Sequence, residues 1–216
     1  MNYHKILIAN RGEIACRIIR SAHDTGLSCV AVYVEADENS PFVKMADEAI
    51  KLSDSYLNSK EIIQAAMRTG AQAIHPGYGF LSENPKFCKE VIKAGLIWIG
   101  PSARVISSMG DKLKAKELAE KAGVPTLPQT TDPKKAKEVG YPLLIKAAAG
   151  GGGKGMRVVT SSKDLKDSIE SAKREAKSSF GDDRIFIERY IPVSRHIEIQ
   201  ILGDSQGNII HLGERE

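Results

Sequence analysis

The sequence has few cysteines and no pair of them at C-x-x-C spacing. Cys16, Cys29 and Cys88 form an odd set that reads as reduced core thiols of a cytosolic chain. No apolar run approaches the length of a membrane span, and the N-terminus leads directly into a strand pattern. Neither a transmembrane segment nor a secretory leader is expected, and the expected location is cytoplasmic. Basic blocks are also missing. Lysines and acids are interspersed, so a formal charge of +4 gives no argument for nucleic acid or a membrane surface as partner. The other proportions are ordinary. At 216 residues, with 42% hydrophobic and 27% charged residues, the chain can form one large soluble domain or two small ones.

Two phosphate-binding fingerprints are absent as well. The turn after the first predicted strand, Lys5-Ile6-Leu7-Ile8-Ala9-Asn10, offers only Gly12. That is no G-x-G-x-x-G, and a dinucleotide reading is set aside. The apolar positions Ile14, Ala15, Ile18, Ile19 and Ala22 recur at helical spacing up to Gly26, and Cys29 to Val34 reads as a second strand. The opening is therefore a βαβ unit of a doubly wound sheet, Rossmann-like in shape without Rossmann chemistry.

Two further alternations follow: a helix over residues 61–68, a strand over 71–74, a helix over 86–94 and a strand over 96–99. Between them lies His75-Pro76-Gly77-Tyr78-Gly79-Phe80-Leu81-Ser82-Glu83-Asn84. This loop leaves the carboxyl end of a strand, where open α/β sheets place ligands. Residues 103–108 and 111–121 read as two short helices, and Lys112 stands at the start of the second, where an anion is welcome. Val124 to Pro128 reads as a linker.

The densest signal lies beyond it. Leu144-Ile145-Lys146-Ala147-Ala148-Ala149 runs into Gly150-Gly151-Gly152-Gly153-Lys154-Gly155, and then into Met156-Arg157-Val158-Val159. Both flanks read as strands of a hairpin with a glycine tip, a mobile flap whose bare amides can surround an anion. It is not a P-loop: Ala148 takes the place of the first glycine, Gly155 stands where Ser or Thr belongs, and a strand follows instead of a helix. Lys146, at the end of an apolar strand, needs a partner, and phosphate is a natural one. A helix over residues 133–139, an amphipathic helix over 164–178, and strands over 184–191, 195–202 and 209–212 complete the pattern. Because the last strand has only begun when Glu216 is reached, the chain is expected to continue beyond it.

Ile8 to Ala15, His75 to Asn84, Met109 to Lys112, Lys146 to Val158 and His196-Ile197-Glu198-Ile199-Gln200 resemble, in order and spacing, the biotin carboxylase family. These are the ATP-grasp components of acetyl-CoA, propionyl-CoA, methylcrotonyl-CoA and pyruvate carboxylases. The resemblance spans the whole chain. It implies an α/β fold: a Rossmann-like (pre-ATP-grasp) parallel-sheet domain over 1–100, a helical linker over 101–127, a glycine-rich ATP-grasp lid over 128–190, and the start of a C-terminal ATP-grasp domain over 191–216.

By position, the resemblance places Lys112 and Lys146 on nucleotide phosphates, with Gly152, Gly153 and Lys154 in the flap over them. It places Glu188, Arg189, Tyr190 and Ile191 in the hinge beside adenine and His196 near the ribose and phosphates. His75, Tyr78, Gly79 and Glu83 line the cleft for bicarbonate and biotin. Arg17, Arg20 and Asp24 fall on a dimer-contact helix face, Asp24 being shorter than the family's glutamate. ATP, Mg²⁺ and carrier-bound biotin are implied, with a biotin carboxyl carrier and a carboxyltransferase as partners and a homodimer through the N-terminal domain.

No metal ligand is expected in these residues. In the family the magnesium-holding glutamates, the bicarbonate arginine and the catalytic base lie further along, so these residues alone are expected to be inactive. The acceptor is chosen by a different part of the holoenzyme. Plainer readings stand beside these. His196 can be a solvent-facing strand residue, Glu83 can cap the helix near Asn84, Lys154 can be an ordinary exposed lysine, and His75 can order its own loop. Two other functions compete: an ATP-grasp ligase of the carbamoyl-phosphate type, which lacks the His75–Asn84 loop, and a non-catalytic dimerisation module.

Overall fold

Near-continuous apolar runs become parallel strands when both faces of a sheet are covered, and the first half of the chain does this. In the computed structural model, which describes residues 3–149, 155–204 and 206–216, the order is β1 (Lys5–Ile8), α1 (Gly12–Asp24), β2 (Ser28–Tyr33), α2 (Pro41–Met45), β3 (Glu48–Lys51), α3 (Ser59–Thr69), β4 (Ala73–His75), α4 (Pro85–Lys93) and β5 (Ile97–Trp98). The five strands pair in the order β3-β2-β1-β4-β5, every pair parallel. Alternate residues feed two cores. Ile6, Ile8, Cys29 and Ala31 meet Ile18, Ile19 and Ala22 of α1. Leu7, Val30, Val32 and Ile74 meet Ile62 of α3 and Phe87 of α4. The sheet is doubly wound, as the βαβ opening predicts.

Helix ends follow their capping residues. The Asn58 side chain accepts the Glu61 N–H at the start of α3, and Gly70 closes that helix in the left-handed conformation. Asn84 caps α4 by accepting from the Lys86 and Phe87 amides, with Pro85 next in line. The cap is thus Asn84 and not Glu83. α5 (Ala103–Gly110) and α6 (Lys112–Lys121) follow, and the chain divides into two compact units, Met1–Leu118 and Ala119–Glu216.

The second unit contains β6 (Gln129–Thr130), α7 (Ala136–Val139), β7 (Leu143–Ala147), β8 (Arg157–Val159), α8 (Leu165–Phe180) and β9 (Ile185–Arg189). Its sheet runs β6-β9-β7-β8 and is antiparallel throughout. Leu165, Ile169, Ala172 and Ala176 share one stripe of α8. From that stripe Ile169 and Ala172 pack on Leu143, Ile145, Val159 and Ile187, one face of the sheet. A separate hairpin, β10 (Glu198–Gly203) and β11 (Ile209–Arg215), pairs with itself alone among the described strands. At its turn Asp204 accepts the amides of Gln206 and Asn208.

Candidate functional site

The strand order of the first unit reverses between β1 and β4. α1 carries the chain from β1 outward to β2, and α4 carries it from β4 the other way to β5. The carboxyl ends of β1 and β4 therefore flank a crevice at a topological switch point, where open α/β sheets bind ligands. Two loops meet there. Asn10, only 2% exposed, follows β1 and donates from Nδ2 to the carbonyls of Pro76 and Tyr78, each at 2.7 Å. A buried amide whose protons are both used in this way fixes the loop that carries it and the loop it reaches.

Gly77 makes the approach feasible. Its φ is +63°, and a Cβ there would stand 2.7 Å from Asn10 Nδ2. Gly77→Ala is expected to cost about 2 kcal/mol in strain and displaced Asn10. Gly79→Ala has the same φ but open space around its Cβ, and should cost about half as much. Chemical unfolding of the two variants side by side checks this.

The predicted cleft residues sit on this loop. His75 Nδ1 accepts the Gly77 N–H at 3.0 Å, which leaves Nε2 as the protonated nitrogen. Burial pushes the His75 imidazole below its usual value, so the ring is neutral at pH 7. Tyr78 is exposed and its hydroxyl donates to the Glu13 carboxylate in the first turn of α1. That bond, then burial, raises the Tyr78 phenol. Glu83 is exposed on the turn before α4.

Behind the loop lies a group that the sequence reading missed. Asp37, only 4% exposed, accepts both nitrogens of the Arg11 fork, Nε at 2.6 Å, and the Tyr56 hydroxyl at 2.6 Å. Phe80 closes on the Tyr56 ring with centroids 5.4 Å apart. Asp37 and Tyr56 follow β2 and β3, so this network ties together the segments that leave four strands at the same edge of the sheet. Asn10 and Arg11, polar residues directly after an apolar strand, were the available signal. Asp37 and Tyr56 had none.

On α1, Arg17, Arg20 and Asp24 are exposed and opposite the buried stripe Ala15, Ile18, Ile19 and Ala22. Arg17 donates to Ser21 Oγ. Lys112 opens α6 and is half-buried. The amides of Leu113 and Lys114 in that first turn donate to the Asp111 carboxylate.

The second unit contains the other group. In β7 the residues Leu144 and Lys146 face away from α8, and register places Glu188 of β9 opposite Leu144 and Phe186 opposite Lys146. Lys146 and Glu188 are therefore diagonal neighbours on one sheet face, and they form an ion pair. The Glu188 side chain is 7% exposed and that of Lys146 27%. The partner that Lys146 needs is thus supplied inside the protein, while its outer side stays open. An ammonium has three donors, and the pair fixes this partly exposed cation on the sheet face.

At the end of β9 and just after it, in the predicted hinge segment, the amides of Arg189 and Tyr190 donate to the carbonyls of Pro128 and Pro142 at 3.1 and 3.0 Å. Ile191 and His196 are exposed. His196 precedes β10 and its Nε2 lies 2.9 Å from Glu198, which also accepts from Arg215. The His196 hydrogen bond first, and then the bond and charge of Arg215, bring the Glu198 carboxyl down to about 2. His196 thus belongs to the two-stranded hairpin and not to the Lys146 sheet. Gly152, Gly153 and Lys154 lie outside the described residues.

Residues 2–106 match the family model of the biotin carboxylase N-terminal domain. Residues 111–216 match that of the carbamoyl-phosphate synthase L chain ATP-binding domain. The chain belongs to the biotin carboxylase family. Its second unit is accordingly the ATP-grasp type of α/β domain. Among the family's members, the mitochondrial methylcrotonoyl-CoA carboxylase of Dictyostelium discoideum has an alpha subunit 51% identical over 98% of this chain and 32% of its own length. The propionyl-CoA carboxylase alpha chain of Ruegeria pomeroyi is 49% identical over 99% of this chain and 33% of its own.

The biotin carboxylase of Campylobacter jejuni, solved as a β,γ-ATP complex, superposes with a TM-score of 0.95 at 46% identity, over 99% of this chain and 51% of that one. The biotin carboxylase domain dimer of the Hydrogenobacter thermophilus 2-oxoglutarate carboxylase, solved with MgADP, ADP and bicarbonate, gives a TM-score of 0.94 at 46% identity, over 99% of this chain and 50% of that one. The chain thus spans about a third to a half of the length of these relatives.

Proposed function

We propose that these residues form the N-terminal and lid portions of an ATP-dependent biotin carboxylase. In that reaction a bicarbonate oxygen attacks the γ-phosphorus of ATP, ADP leaves as carboxyphosphate forms, and the carboxyl group passes to a ring nitrogen of carrier-borne biotin, whose proton goes to a base as phosphate is released. The observation that carries the reading is the 75–84 loop, bound by Asn10 across the switch point. It is the feature that sets this family apart from carbamoyl-phosphate-type ligases. Phosphoryl transfer needs positioning and charge neutralisation above all. The Lys146 cation, held by Glu188, suits that role together with Lys112 and the flap residues Gly152, Gly153 and Lys154.

On this reading Glu188, Arg189, Tyr190 and Ile191 lie beside adenine, His196 beside the ribose, and His75, Tyr78, Gly79 and Glu83 along the bicarbonate and biotin cleft. The domain boundaries are those given by the resemblance. Arg17, Arg20 and Asp24 make the homodimer contact, and a biotin carboxyl carrier and a carboxyltransferase are the other partners. The compartment is the cytoplasm, to which three buried free thiols are suited. Among the described residues no helix is long and apolar enough to cross a membrane.

Mg²⁺ accompanies the nucleotide in the Hydrogenobacter structure. It prefers octahedral oxygen ligands. Among the described residues the one group of converging acid, histidine and cysteine side chains is His23, Cys29 and Asp47, which does not match that preference. No step is therefore assigned to magnesium here, and residues 1–216 alone are expected to show no turnover.

The test is ADP release by the full natural reading frame that contains these residues, given ATP, magnesium and bicarbonate, with and without free biotin. Biotin-stimulated release is expected. Bicarbonate-dependent release indifferent to biotin would replace this reading with the carbamoyl-phosphate type. A stable dimer that ignores nucleotide would replace it with a non-catalytic module.

A further inference from the structure

The other edge of the parallel sheet, where the strands begin, carries a separate cluster. α1 runs back against β1, so its last turn returns His23 to the edge from which β2 and β3 start. Cys29 is the second residue of β2 and lies in the apolar layer of Ile18, Ile19 and Ala22. Asp47 immediately precedes β3. Its Oδ2 accepts the Cys29 amide at 2.7 Å and lies 2.9 Å from His23 Nε2. The imidazole nitrogen, the Cys29 sulfur and a carboxylate oxygen all lie within 4.8 Å of one another.

We propose that His23, Cys29 and Asp47 bind a transition-metal cation of the Zn²⁺ class. Imidazole, thiolate and carboxylate are the three ligand types zinc takes, and a sulfur among them argues against magnesium or calcium. Three protein ligands leave a fourth position for water. With metal–nitrogen and metal–sulfur bonds of about 2.0 and 2.3 Å, tetrahedral ligand atoms stand about 3.3–3.7 Å apart. Closing the cluster from its present spread takes side-chain shifts of about an ångström, and His23 and Asp47 are exposed enough to move, at 40% and 48%.

The cation displaces the hydrogen bond between His23 and Asp47, and the Cys29 thiol proton leaves to solvent as the sulfur–metal bond forms. Asp47 can keep Oδ2 on the Cys29 amide and offer Oδ1. The ion would clamp α1, β2 and the segment entering β3, at the edge away from the proposed cleft. Its role is therefore structural, and a ligand bound only by the folded state raises stability by mass action.

The test is titration of the purified 216-residue protein with Co²⁺ as a spectroscopic probe, followed by Zn²⁺. The expected result is one cation per chain, a thiolate-to-cobalt charge-transfer band in the near ultraviolet, loss of that band as Zn²⁺ displaces cobalt, and a higher Tm with Zn²⁺. His23→Gln and Asp47→Asn should each weaken cobalt binding about tenfold or more. Cys29→Ser should remove the band, whereas Cys16→Ser and Cys88→Ser should keep it. If Cys29→Ser does not fold, the two exposed positions decide. A wild-type protein without the band, or a band of unchanged affinity in both His23→Gln and Asp47→Asn, overturns the assignment.

Discussion

Replacing Lys146 with methionine is expected to destabilise the second unit by about 2–3 kcal/mol and to weaken nucleotide binding about 10–100-fold. The stability loss comes from Glu188. Its side chain is 7% exposed and paired with the Lys146 ammonium, and removing that ammonium takes an opposite charge away from a buried carboxylate. Such losses run to about 3–5 kcal/mol for fully buried pairs. The Lys146 side chain is 27% exposed, which places this one at the low end or just below.

The binding loss has a separate cause, the missing cation at the phosphate site proposed above, and a second variant separates the two. Lys146→Met combined with Glu188→Leu removes both charges from a sheet face that already holds Leu144 and Phe186. Replacing a buried ion pair by apolar residues of similar volume is often neutral or better. The double variant should therefore regain most of the stability and none of the nucleotide affinity. Denaturant unfolding and ATP titration on both variants check this. A single variant as stable as the parent would show that the pair contributes nothing to the fold. A double variant that binds ATP normally would remove Lys146 from the phosphate site.

The part of this arrangement that was legible in the sequence is the part that local chemistry determines. β1, β2 and β4 read as strands because both of their faces are buried, which makes their composition apolar without alternation. Lys146 stood out because a lysine closing an apolar strand is costly. Its partner was not legible: Glu188 is brought to it by the β7–β9 register, a long-range property that a polar residue in an apolar run does not announce. β3 escaped notice for the opposite reason. Glu48-Ala49-Ile50-Lys51 is an edge strand, mostly exposed and bounded by charges, and such charges guard an edge while hiding the strand from a hydrophobicity reading. β6 has two residues and a proline before it, too little for any periodicity. The switch-point crevice was half legible: the loop after β4 was, but the side chains that hold it come from the segments after β1, β2 and β3.

Asp37→Asn is the sharpest test of that second half, with an expected loss of about 3 kcal/mol from the first unit. Asn keeps the shape but loses the charge, and it turns an NH₂ group toward donors that need an acceptor: the Arg11 fork or the Tyr56 hydroxyl. The pH dependence identifies the mechanism. The bond from Arg11, and after it that from Tyr56, holds the Asp37 carboxyl below its usual range against the opposing pull of burial. A depressed folded-state value means stabilisation that is fully present above the unfolded value of about 3.9 and is lost as pH falls through the folded value.

The wild-type protein should therefore lose this contribution only in acid, and its advantage over Asp37→Asn should shrink below about pH 4. Tyr56 contributes the opposite limb. Burial, then Asp37, pushes its phenol up to about 12, so stability is held below the unfolded value of about 10 and lost as pH rises toward the folded one. Tyr56→Phe should flatten that alkaline limb. Because Phe80 rests on the Tyr56 ring, releasing Asp37 also loosens the loop that carries Tyr78 and Glu83. In the full enzyme proposed above, Asp37→Asn should raise the KM for biotin more than it lowers kcat, since it disturbs the wall of the cleft and leaves Lys146 untouched. An unchanged KM would confine Asp37 to holding the fold.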